Sequence, residues 1–320
     1  MLWDDPMGQF TQAILGDGSL SFEECNENAL IKIKEYFANW DCIHFGWDSG
    51  HIQWVKDLGI LPVEQIKYSP LPAHIDFLRR DKVRKTKREI AFFGNLYLNM
   101  LKTDQFFQDK KTVAICKHIS GCDIFTFQKS NYFQFKEILS NVFQIFNKKW
   151  EDDINFWAFY RKLIWYYFGT HKRKLILENI SHNINFFGNF ADESASPLLS
   201  KNLLFQGNLD FFSELPLAFE ETEITVDVIN SISINGLTGK FYECFASNGF
   251  MLFDYKPDAE VILGKELTAK VTYRSIDELN DKIQFYLKNK QEREELRINI
   301  KTLILNKCDP QEWSQKILIN

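Results

Sequence analysis

A chain of 320 residues is long enough for two domains of ordinary size, each with its own core. Its 38 basic and 43 acidic side chains leave a formal charge of −5, so there is no broad basic surface of the kind that binds nucleic acid by neutralising phosphates. The 30 phenylalanines are dispersed through mixed sequence, no stretch approaches the roughly 20 apolar residues of a transmembrane helix, and Asp4, Asp5 and Pro6 interrupt any secretory signal, which predicts a cytoplasmic protein without a membrane span.

Residues 1–87 hold strand candidates at Met1–Trp3, Cys42–Phe45 and Gln65–Ser69. Between them, Leu30, Ile33, Tyr36 and Phe37, and then Ile52, Val55 and Leu58, recur at helical spacing. Alternating strands and helices predict a parallel sheet with crossover helices, here too short for a complete nucleotide-binding type of domain. Lys82–Arg88 is a basic run after Pro70 and Pro72 and reads as an interdomain linker. A second αβ series follows, with strands expected at Ile90–Phe93, Thr112–Cys116, Ile184–Phe187, Leu203–Phe205, Ile224–Ile229, Phe250–Phe253 and Lys270–Thr272.

Residues 131–168 break this rhythm. Phe135, Ile138, Leu139, Val142, Phe143 and Phe146 recur every three or four positions, and Ile154–Phe168 is an aromatic helix expected to end before His171-Lys-Arg-Lys174. Packing against the second domain is the expectation; an amphipathic contact with a membrane or a lipid-linked acceptor is the alternative. Ser275 and Glu278 form a capping box, and Asn289 with Glu292 offers a second helix start. The six cysteines form no CxxC pair and read as free thiols; Cys116, His118 and Cys122 lack a fourth ligand for zinc.

The run from Gly239 to Asp254 carries the most chemistry. It reads as a glycine turn, a short helix with Glu243 near its start, a second glycine at Gly249 and a buried strand ending in Asp254. Beyond the strand ends of an α/β sheet such a segment presents a carboxylate to ribose hydroxyls, and Lys240 to phosphate. Gly236-Leu-Thr-Gly-Lys240 lacks P-loop spacing, and no GxGxxG occurs, so neither an ATPase nor a dinucleotide fingerprint is present. Gly94-Asn95 and Gly188-Asn189 follow apolar strands, where glycine lets backbone approach a diphosphate or simply makes a tight turn. Asp5 sits after a strand and is the candidate to orient or deprotonate a substrate hydroxyl; His51 and His74 are weaker candidates.

Read together, Lys240-Phe-Tyr-Glu243, Ala246-Ser-Asn-Gly-Phe250 and Asp254-Tyr-Lys-Pro257 resemble the sugar-nucleotide site of the spore maturation protein B (CgeB-like) glycosyltransferases. Trp3-Asp-Asp-Pro6, Trp54-Val-Lys-Asp-Leu-Gly59, Tyr68-Ser-Pro-Leu-Pro72, Ile90-Ala-Phe-Phe-Gly-Asn95, Phe186-Phe-Gly188 and Phe211-Phe-Ser-Glu-Leu-Pro216 follow in that family's order. The resemblance implies an α/β chain of two Rossmann-like domains (GT-B), the first truncated and the second with a helical insertion. The expected domains are residues 1–87 on the acceptor side, 88–305 binding the nucleotide sugar with an insertion at about 101–172, and a helix at 306–320 returning to the first domain.

The implied activity is transfer of a sugar, hexosyl in kind, from a nucleoside-diphosphate sugar to a hydroxyl of a glycan, lipid-linked glycan or protein, with no cofactor and no metal. Glu243 would hold the ribose, Lys240 the diphosphate, and Gly94, Asn95 and Gly239 the approach of the backbone. Retaining relatives place a second glutamate eight positions before the first, and here that position is Asn235. This departure keeps a second reading open, a degenerate module that binds a nucleotide or a partner without transfer. A first domain opening directly on Trp3-Asp-Asp-Pro6 leads to a further expectation of about three strands there, completed by a partner chain or an upstream segment.

Overall fold

The computed structural model describes residues 2–3, 34–35, 42–57, 59–78, 85–98, 105–108, 110–121, 123–125, 162–189 and 200–319. Asp5, the helix positions Leu30, Ile33, Tyr36 and Phe37, and the positions Phe135–Phe146 lie outside the described residues. Two compact units form: Met1–Pro70 with Gln105–Gly169 and Asn230–Gly236, and Leu71–Asp104 with Thr170–Ile229 and Leu237–Asn320. The first division between these units falls after Pro70, where the sequence led to an expected boundary after residue 87. Of the expected insertion, the described residues up to 169 group with the first unit, and the described C-terminal residues 306–319 group with the second.

In the first unit, β1 (Leu2–Trp3), β2 (His44–Gly46) and β3 (Ile66–Tyr68) form a parallel sheet in that order. Helix α1 (Ser49–Asp57) starts where it does because Asp48 Oδ1 accepts from the N–H groups of Gly50 (2.8 Å) and His51 (3.2 Å), an N-terminal cap. It buries Ile52, Trp54 and Val55, and it stops where Gly59, at φ 60°, supplies the left-handed residue that closes a helix C-terminus. Residues Lys110–Ser120 form helix α2, so the strand expected at Thr112–Cys116 is a helical turn. A short apolar run has no period that separates strand from helix. Here Thr112 and Cys116, four apart, are both buried on one helical face.

The second unit holds β4 (Arg88–Phe93), β5 (Ile184–Phe187), β6 (Leu203–Gly207), β7 (Thr222–Asp227), β8 (Met251–Asp254) and β9 (Thr272–Tyr273), all parallel, in the order β6-β5-β4-β7-β8-β9. With β4 as the first strand this is the doubly wound 3-2-1-4-5-6 arrangement. Each strand lies within two residues of its expected position. The paired residues Phe92 and Phe186, and Phe93 and Phe187, stack across β4 and β5 with ring centroids 5.7 and 5.3 Å apart. These aromatic pairs hold the middle of a sheet buried on both faces.

A π-helical segment, Lys162–Phe168, runs into α3 (Gly169–Glu178). The expected stop before His171-Lys-Arg-Lys174 is absent, and the tetrad lies inside the helix with Lys172 and Arg173 buried. Two of the tetrad's four side chains are thus withdrawn from the surface. Among the described residues no helix is long and apolar enough to cross a membrane.

Further along are α4 (Leu215–Glu220), α5 (Gly239–Ala246), α6 (Asp258–Leu263), α7 (Lys265–Val271), α8 (Ile276–Lys288), α9 (Lys290–Lys307) and α10 (Pro310–Ile319). Ser275 caps α8 as expected, accepting from the Glu278 N–H at 3.1 Å, while Glu278 reaches back to the N–H of Arg274. Asn289 begins α9 without capping it and donates instead to the Phe285 carbonyl.

Candidate functional site

In a doubly wound sheet the strand order reverses between the first and fourth strands, and the loops there part to leave a crevice beyond the carboxyl ends. In the second unit those strands are β4 and β7, which end in Phe93-Gly94 and Asp227. Helix α5 begins at Gly239, and its N-cap residue Thr238 makes no side-chain cap bond. A helix start without a side-chain cap favours an anion.

Lys240 links these parts. Its Nζ donates to Asp227 Oδ1 at 2.7 Å and stands 5.5 Å from the centre of the Phe92 ring. A Cβ added at Gly94 would come within 3.4 Å of that same Nζ and 2.9 Å of the Phe92 ring, so glycine leaves the ammonium room beside the backbone. Lys240 is about one-fifth exposed and Asp227 is buried, which places the cation at the mouth and its counter-ion behind it.

Glu243 is one helical turn on, half-buried. Its Oε1 would lie 3.3 Å from a Cβ at Gly239, so any side chain at 239 would crowd it. Among the described residues none hydrogen-bonds this carboxylate. Burial pushes its pKa up from 4.5 to about 7, with Lys240 pulling the other way. The sequence led us to expect an exposed glutamate at a helix start. It is instead half-buried, on a short helix whose own Phe241, Tyr242 and Phe245 are all buried.

Gly94, Gly239, Lys240 and Glu243 thus converge. Asn95 adjoins them and ties down a neighbouring loop, since its Oδ1 accepts from the Asn189 N–H at 2.9 Å. Gly188 is required by close approach, because a Cβ there would lie 1.9 Å from the Gly94 carbonyl oxygen. Gly188→Ala is expected to lower stability by about 1–3 kcal/mol, read as a lower urea midpoint at unchanged slope. An unchanged midpoint would show that the two loops separate freely.

Asn235 does not join this group. It belongs to the first unit, where its N–H donates to Asp48 Oδ1 at 3.1 Å, its Nδ2 donates to Ser49 Oγ at 3.0 Å, and its buried Oδ1 has no partner among the described residues. His51 is buried with Nε2 on the Ile232 carbonyl at 3.0 Å, and His74 is exposed against the rings of Phe77 and Phe212; neither is placed as a base. Among the described residues, Cys116 included, no three metal-ligating side chains gather. Cys122 lies outside those residues.

Three charged residues beside the crevice, Lys172, Arg173 and Asp227, escaped the sequence reading. Asp254, read as the end of a buried strand at the crevice, is fully buried: Oδ2 accepts from Lys172 Nζ at 2.8 Å and Oδ1 from the Ile229 N–H. Arg173 donates from Nε to the Val228 carbonyl (3.1 Å) and from Nη1 to the Asn95 carbonyl (2.9 Å). Asp227, besides holding Lys240, accepts the Tyr273 hydroxyl on its carbonyl at 2.9 Å. A signal for them was present. Asp227 closes an apolar strand just as Asp254 does, and Lys172 and Arg173 share a helical face with Ile176 and Leu177.

Residues 172–319, a little under half of the chain, match the model of a family described as glycosyl transferase-like. In fold the chain is similar to a glycosyltransferase from Rickettsia africae (TM-score 0.50, 8% identity, covering 90% of this chain and 65% of that one). It is also similar to sucrose-phosphate synthase from Thermosynechococcus elongatus (TM-score 0.50, 10% identity, 98% of this chain and 64% of that one). The fold is therefore mixed α/β with parallel sheets, matching GT-B glycosyltransferases. The chain spans just under two-thirds of the length of these two structures. No curated protein matches it in sequence.

Proposed function

We propose that the chain is a glycosyltransferase that moves a sugar, hexosyl in kind, from a nucleoside-diphosphate donor to an acceptor hydroxyl, in the manner of the CgeB-like enzymes. The observation that carries this reading is Glu243: a half-buried carboxylate with no hydrogen-bond partner among the described residues, beside Gly239 and Lys240 at the switch point of a doubly wound sheet. A carboxylate offers lone pairs to two neighbouring ribose hydroxyls, and binding a ligand would compensate the cost of its burial. Lys240, with Gly94 beside it, faces the diphosphate; the first N–H groups of α5 add to the same field. Charge on the departing diphosphate is met by these groups, so the reading requires no metal. The match of residues 172–319 to the glycosyl transferase-like model supports it independently.

The test is a panel of nucleotide sugars incubated with the native chain, with release of nucleoside diphosphate as the readout. Turnover of one donor is expected; binding without turnover would favour a degenerate module. Lys240→Ala is expected to weaken a nucleoside diphosphate about tenfold, the scale of one charge-assisted hydrogen bond, while leaving the bare nucleoside nearly unaffected. Equal loss for both ligands in calorimetry would remove Lys240 from the phosphate role.

A further inference from the structure

Arg173 is buried in the interior side of α3, and both of its hydrogen bonds end on main-chain carbonyls. The two carbonyls belong to Asn95, which follows β4, and Val228, which follows β7. These are the two strands that flank the switch point. One planar guanidinium therefore spans both sides of the crevice, as a rigid fork of donors is suited to do. The bridge extends further, because the Asn95 side chain holds Asn189 in the loop after β5.

The charge matters as well as the geometry. Lys172 is neutralised by Asp254 and Lys240 by Asp227, each through a direct ion pair. Among the described residues Arg173 has no carboxylate within hydrogen-bonding distance; Asp227 and Asp254 act on it only at longer range. Its guanidinium carbon stands 6.0 Å from the Phe92 ring centre, the ring that also faces Lys240 at 5.5 Å. Of these three cations Arg173 is the one that no described carboxylate pairs directly, while Glu243 stands beside Lys240 at the mouth.

We propose that Arg173 is a positioning residue for the donor diphosphate: it ties the loops after β4 and β7 together and supplies a fixed positive charge behind Lys240. This rests on the donor reading above. It differs from a structural staple in what it predicts, since a staple would affect the nucleoside and the diphosphate alike.

The experiment is calorimetric titration of the full chain with UDP, GDP or ADP, whichever the native protein binds, and with the corresponding nucleoside. Arg173→Gln keeps an amide donor but removes the charge. It is expected to weaken the diphosphate on the order of tenfold, the scale of one charge interaction across roughly 12 Å at an effective dielectric of about 20, with the nucleoside within about twofold. Arg173→Lys restores charge and is expected to keep the native preference for diphosphate over nucleoside. It decides the matter if the glutamine variant does not fold, because a lysine variant that loses that preference overturns the proposal. Equal losses for both ligands in Arg173→Gln, or none, overturn it too while leaving the donor reading intact. A native chain that binds no nucleoside diphosphate overturns both.

Discussion

Glu243→Gln is expected to make the protein more stable above neutral pH and to abolish most of its affinity for a nucleotide donor. The folded carboxyl titrates near 7 because burial disfavours its charge, against 4.5 for an unburied glutamate. Between these values the folded chain retains a proton that the unfolded chain has already released. Raising the pH through this window therefore lowers stability, and the loss is complete above about 7. Glutamine carries no such charge, so the variant gains on the order of 2–3 kcal/mol above pH 7 and nothing below about pH 4.5. Urea melts of both proteins at pH 4.5 and pH 8 check this; a gap that is the same at both pH values would contradict the buried-carboxylate account. Donor affinity runs the opposite way. A ribose held by the carboxylate binds more tightly as pH rises through 7, and its loss in the glutamine variant is worth about 1.5–3 kcal/mol, roughly ten- to a hundredfold in Kd.

Lys172→Met is expected to cost about 3–5 kcal/mol of stability, because it strands Asp254 as an unpaired charge in the interior. The two side chains are 1% and 0% exposed, and water cannot replace the lost partner. Lys172→Met with Asp254→Asn removes both charges yet leaves an oxygen to accept the Ile229 N–H. This pair of changes should recover most of the loss. Denaturant midpoints at constant slope measure the difference. A single variant that loses less than about 1 kcal/mol would mean that the ion pair behaves like a surface one.

The second sheet was legible in the sequence because its strands are apolar runs bounded by turn residues, and burial on both faces demands such runs. Where a run is short, as at Thr112–Cys116, apolar character alone does not choose between strand and helix, and the basic residues around it belong to helix α2. The candidate site was legible in its first turn, Gly239-Lys-Phe-Tyr-Glu243, and in Gly94, because close approach of backbone and side chain demands glycine there. Its electrostatic support was not. Lys172 and Arg173 sit in a basic tetrad that reads as a solvated helix end, and only the sheet's order shows that they face the ends of β4, β7 and β8. Asp254 was misplaced for the same reason: a strand-terminal carboxylate looks open to the crevice until its buried lysine is seen.

The most direct test of the donor site is titration calorimetry of the native chain and Glu243→Ala with UDP, GDP and ADP at pH 8. The account predicts that one of these nucleotides binds the native chain and that the alanine variant, with its fold intact by circular dichroism, loses at least about tenfold in affinity. A native chain that binds none of them, or an alanine variant that binds as tightly as the native one, would contradict it.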